Sequence, residues 1–154
     1  MSRFLSSLPI WAAALWWGSL TTIGFLVVPM LFAHLATPAI AGQMAARLFT
    51  AQTWVSVVCT LLLLLATGPA VGGVAQEGQE AQTAPSAAMT APRLSILAGL
   101  LLALLVEFVV APRIVARENL ALWHRLGSAC YLVQWLCAGW TLWRLSQNAS
   151  QRRI

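Results

Sequence analysis

The chain has 154 residues, 60% of them hydrophobic and 8% charged. Soluble domains carry about 25% charged residues, so the composition excludes an ordinary soluble domain, and the length allows one domain. The net charge is +5 and every cationic side chain other than histidine is arginine; these lie thinly at the ends of apolar runs, which fits membrane anchoring and not a nucleic-acid partner.

Four apolar runs are long enough for a bilayer, which takes about 20 residues. The first, from Pro9 to about His34, has Ser7 as a cap and Pro9 suited to a first turn. It exceeds the apolar core of a cleavable leader, about 7–15 residues, and is expected to remain as a helix. The second starts near Pro38, opens amphipathically, and is stopped by Gly68 and Pro69. Residues 70–91, rich in Gly, Gln, Glu, Ala and Ser, are expected to form an exposed, mobile loop. The third run goes from Pro92 to about Arg117, and the fourth from about Asn119 to Leu145. The expected fold is one all-α transmembrane domain, a four-helix bundle with spans at about 9–34, 48–68, 93–113 and 124–145.

Four spans put both ends on one side. Arg3, Arg93, Arg144, Arg152 and Arg153 fall there, against Arg47, Arg113, Arg117 and Arg125 on the other, which tips both ends narrowly toward the cytoplasm. Cys59, Cys130 and Cys137 lie inside apolar runs without metal-ligand spacing and read as small buried side chains.

The chain repeats itself. In GFLVVPMLFAHL (24–35) and EFVVAPRIVARE (107–118), Phe25, Val27, Pro29 and Ala33 match Phe108, Val110, Pro112 and Ala116 at an offset of 83 residues. The simplest reading is two similar hairpins about a pseudo-twofold along the membrane normal, with Gly24 opposite Glu107 making room for it. Each proline should kink or end its helix on the same side.

Glu107 is the one acidic residue inside an apolar run. It lies on a stripe in steps of four, Ser95, Gly99, Ala103, Glu107 and Ala111, whose small residues let membrane helices approach, so it should face the bundle. At ~1.5 Å per residue it is roughly 9 Å inside the level of Arg113. Gln134, Ser56 and Thr22 fall at a similar depth, and the four residues are expected to form a buried polar layer. Amide and hydroxyl neighbours suit a neutral carboxyl better than a bare carboxylate. Such a layer serves either as interhelical glue or as a proton or cation relay.

His34 and His124 fall at one membrane face and are the alternative site, as ligands to haem or copper, although no metal motif surrounds them and no cofactor is the leading expectation. Arg47, Arg113, Arg117 and Arg125 share that face and would contact headgroups or an anion. Aspartate is absent, and no triad, phosphate loop or carboxylate pair is present, so no catalytic residue is assigned.

The run GFLVVPMLFAHLATPAIAGQMAARLF resembles the transmembrane protein 205-like family, a bacterial domain of unknown function: Gly24, Phe25, Pro29, Leu31 and Phe32, then Ala41, Gly42, Leu48 and Phe49, fit its pattern. Pro112, Ile114, Trp123 and His124 fit more loosely, while Tyr131 and Arg125 depart from it. The resemblance implies a four-helix protein of the bacterial inner membrane without an agreed activity. A broader likeness to the copper-resistance protein D group implies the haem or copper alternative. The expected function is therefore a non-enzymatic membrane protein that assembles or handles a small solute or ion. Its expected partners are the lipid bilayer, including anionic lipid, and a second copy or another membrane protein.

Overall fold

A computed structural model describes residues 2–67 and 91–151, all but a few of them helical. The loop expected over 70–91 lies, except for Ala91, outside the described residues. The first helix runs from residue 2 to 34 as Ser2–Thr22, a wide π-helical segment Ile23–Val27, and Val28–His34. The second is Pro38–Thr67. The third mirrors the first: Ala91–Leu105, a π-helical segment Val106–Val110, and Ala111–Val115. The fourth is Leu120–Gln151. No strand occurs among the described residues. The first helix begins before Pro9, which sits inside it instead of opening it.

Three helices, Ser7–His34, Pro38–Thr67 and Ala91–Val115, are long and apolar enough to cross a membrane, which points to a membrane protein. The fourth helix, Leu120–Gln151, is not among them. It is long enough, but Tyr131, Gln134, Thr141 and four tryptophans dilute its apolar stretch. Large apolar side chains lie outward elsewhere, Leu65 at 80% exposure and Leu101 at 66%, as they do where acyl chains replace water.

Consecutive helices pack together, and the fourth closes against the first; the third and fourth share the most extensive contact. The core lies toward the end where the first helix begins: Ala13, Trp16, Leu20, Leu63, Ile96 and Ala138 are fully buried. Trp16 reaches from the first helix to the third, where Gly99 receives it; a Cβ on Gly99 would stand 2.5 Å from the indole. At the same end the Arg93 guanidinium donates to the Thr67 carbonyl. That bond ties the start of the third helix to the last turn of the second, where carbonyls lack helical partners. Ser95 and Thr141 hydroxyls, 2.8 Å apart, join the third and fourth helices.

The other end turns twice. Residues 35–37 join the first two helices. Between the third and fourth, Arg117 adopts φ 57° and Asn119 φ 36°. Glu118 N–H donates to the Arg113 carbonyl and Arg117 N–H to the Ile114 carbonyl. That is a Schellman closure with arginine in the left-handed position usually held by glycine, a backbone strain of about 1 kcal/mol. Its charge lies at a helix C-terminus, where the macrodipole favours a cation.

Candidate functional site: a cavity walled by Glu107

The two π-helical segments stand 83 residues apart, the offset of the sequence repeat, and each is followed two residues later by proline. Proline has no N–H to continue the ladder. The wide turn instead closes with Val28 N–H on the Ile23 carbonyl and Ala111 N–H on the Val106 carbonyl. Segments of this kind displace a helix axis locally and recur at functional sites.

Here they flank a partly open cavity of about 460 Å³ in the half of the bundle that carries the two turns. All four helices line it: Phe25 and Val28 from the first, Ala45 and Thr50 from the second, Glu107 and Val110 from the third, His124 and Tyr131 from the fourth. Its wall is mostly apolar. Among the described residues that line it, Glu107 is the one acidic side chain and His124 the one basic side chain, and there is no arginine. Glu107 is half-buried and accepts a hydrogen bond from the Thr50 hydroxyl at 3.0 Å.

Gly24 lines the same cavity, but the space beside it goes to Tyr131 and not to Glu107: a Cβ there would lie 2.5 Å from the tyrosine ring. The Tyr131 hydroxyl donates to the Leu20 carbonyl at 2.7 Å, supplying a partner just before the π-helical turn. Tyr131 also meets Phe49 edge-on, ring centroids 5.3 Å apart.

Below this ring pair lies a second polar group. Gln134 Nε2 donates to Ser56 Oγ at 3.0 Å, and Gln52 Nε2 donates to Ser56 Oγ at 3.3 Å and to Ser19 Oγ at 3.0 Å. Both hydroxyl hydrogens are already used, Ser56 on the Gln52 carbonyl and Ser19 on that of Trp16. The amide of Gln52 must therefore present its N–H groups to them, and its Oε1 has no hydrogen-bond partner among the described residues although Gln52 is only 2% exposed. A void of about 10 Å³ bounded by Gln52, Ser56 and Gln134 adjoins it. Phe49, Val106 and Tyr131 border both this void and the larger cavity.

Of the expected layer, Gln134 and Ser56 are thus brought together, and Glu107 is placed beside Thr50 on the cavity wall. Thr22 joins neither group; it is exposed and donates to the Gly18 carbonyl of its own helix. Its neighbour Thr21 likewise donates to its own helix, at the Trp17 carbonyl, and also accepts from Trp135 Nε1 of the fourth helix at 2.9 Å. Thr50, Gln52 and Ser19 were missed. Gln52 was findable, since Gln52, Ser56 and Thr60 recur every four residues in an apolar helix.

His124 lines the cavity, whereas His34 is exposed, does not line it, and donates from Nδ1 to the Met30 carbonyl at 3.0 Å. Among the described residues no three His, Cys, Asp or Glu side chains converge as a metal site. Arg47, Arg117 and Arg125 are exposed, as is Arg113, whose guanidinium lies 4.3 Å from the Trp123 ring centroid. The three cysteines are free thiols.

No match was found among curated proteins or among solved structures. A family model described as "Domain of unknown function (DUF4149)" matches residues 11–122, which takes in three helices, both π-helical segments and the Glu107 wall. Neither the transmembrane protein 205-like grouping nor the copper-resistance protein D grouping emerges from the comparison. With the match covering well over half its length, the chain belongs to the family of this domain of unknown function.

Proposed function

We propose that the protein is a non-enzymatic membrane protein that holds a small, mainly apolar solute in the cavity walled by Glu107. The observation that carries this reading is the cavity itself. Its volume of about 460 Å³ falls within the range of small-molecule sites, roughly 300–1,000 Å³, and its wall is apolar with a few polar groups, as such sites are built. The π-helical segments support it too, because they bring Phe25 and Glu107 to the same space from two helices. The reading includes a pseudo-twofold between the two hairpins, supported by the matched 83-residue offset of those segments.

The same reading has four crossings of the cell membrane with both ends in the cytoplasm, anionic headgroups at Arg47, Arg113, Arg117 and Arg125, and assembly through the remaining apolar faces. Accessibility of a tag placed within 70–91 tests the orientation. The test of the function is retention of solutes by protein in phosphatidylcholine nanodiscs, read by mass spectrometry after washing. Ala46 is exposed and lines the cavity, so Ala46→Trp fills space without entering the core. Wild type should retain apolar solutes that Ala46→Trp does not; equal retention removes the cavity from consideration. The haem or copper alternative, through His34 and His124, is tested on the same sample by its absorption spectrum.

A further inference from the structure

We infer that the solute of this cavity is an apolar amine bound as its cation, with its ammonium on the Glu107 carboxylate. The inference rests on the proposed function and adds the chemical class. An acidic side chain within a membrane span is costly unless paired. Glu107 lies on the cavity wall, one oxygen accepts from Thr50, and among the described residues that line the space His124 is the one basic side chain, with no arginine and no hydrogen bond between His124 and Glu107. A cationic donor from outside the protein supplies both the missing charge and further hydrogen bonds.

The walls select among cations. Hard metal ions take about six or more oxygen ligands, whereas here Phe25, Val28, Phe32 and Val110 make up much of the surface around a single carboxylate. An organic cation with an apolar body fits such a wall. Fatty acids and other anions meet the carboxylate, with His124 as the one basic side chain among the lining residues and the arginines outside it. Tyr131 does not compete for the ligand, because its hydroxyl hydrogen is committed to the Leu20 carbonyl.

Three probes share one skeleton: phenylbutylamine, phenylbutanol and phenylbutyrate. Their binding to the full chain in phosphatidylcholine nanodiscs is measured against empty nanodiscs. Wild type should bind the amine about tenfold or more tighter than the alcohol, as a charge-assisted hydrogen bond predicts, and the acid more weakly than either. Glu107→Gln should remove the preference for the amine and leave the alcohol within about twofold. Thr50→Val, which keeps the charge, should retain the preference. Should the three probes bind alike and Ala46→Trp exclude them all, the amine assignment is overturned while the cavity still holds a solute. Should none bind, or Ala46→Trp bind them as wild type does, the proposed function falls and the assignment with it. The ranking of probes on wild type decides even if Glu107→Gln does not fold.

Discussion

The two halves of this bundle solve the same problem differently. Near the start of the first helix, a fully buried Trp16 fills the space between the helices and Gly99 admits its ring. Near the two turns, the helices at the same depth carry π-helical segments, prolines and small residues, and a cavity of about 460 Å³ remains. Polar side chains follow the division. Gln52 and Gln134 both donate to Ser56 next to the closed half, whereas Glu107 accepts from a threonine hydroxyl and faces the cavity. Tight packing is what holds membrane helices together, because lipid supplies little hydrophobic drive between them. One half therefore provides the stability that lets the other stay hollow.

The division can be tested by unfolding measurements in detergent or bicelles. Trp16→Ala should cost the most, about 3 kcal/mol or more, since it opens a void where all contacts are protein. A loss below ~1 kcal/mol would mean that the closed half does not hold the bundle. Gly99→Leu follows, at about 1–3 kcal/mol, because its side chain must displace the indole. Gln134→Leu should cost about 1 kcal/mol, as interhelical hydrogen bonds in membranes do, with Ser56 still accepting from Gln52. Least affected is Gly127→Ala on the cavity wall, where the new Cβ would lie 3.3 Å from Val110 and the open space lets that side chain give. A change within about 0.5 kcal/mol is expected there. If Gly127→Ala proved as harmful as Gly99→Leu, the two halves would be equally packed and the contrast would fail.

Legibility in the sequence followed how a side chain can satisfy itself. Glu107 and the Gln134–Ser56 pair stand out because charged and amide groups in apolar helices need partners from other helices. Threonines stand out less, since each can donate to a carbonyl four residues back in its own helix. Thr21, Thr22, Thr53 and Thr60 all do that, yet Thr21 also accepts from Trp135 on another helix, and Thr50 donates to Glu107. Adjacent threonines at one depth thus differ in whether they also bridge helices, and no spacing rule distinguishes them. The histidines are similar: shared depth suggested a pair, but side-chain direction put His124 on the cavity and His34 on its own helix.

Composition and apolar run length by themselves determined an all-helical chain suited to lipid, because a bilayer demands long runs with internally paired backbones. The repeated Phe–x–Val–x–Pro likewise determined where both helices would be disturbed, since a missing N–H acts locally. Only the tertiary structure decided that the disturbances enclose a cavity, that Tyr131 and not Glu107 takes the space at Gly24, and that Thr50 is the carboxylate's partner. These depend on how helices are rotated against one another. That rotation is set by the joint fit of side chains such as Trp16 in Gly99, which no single segment contains.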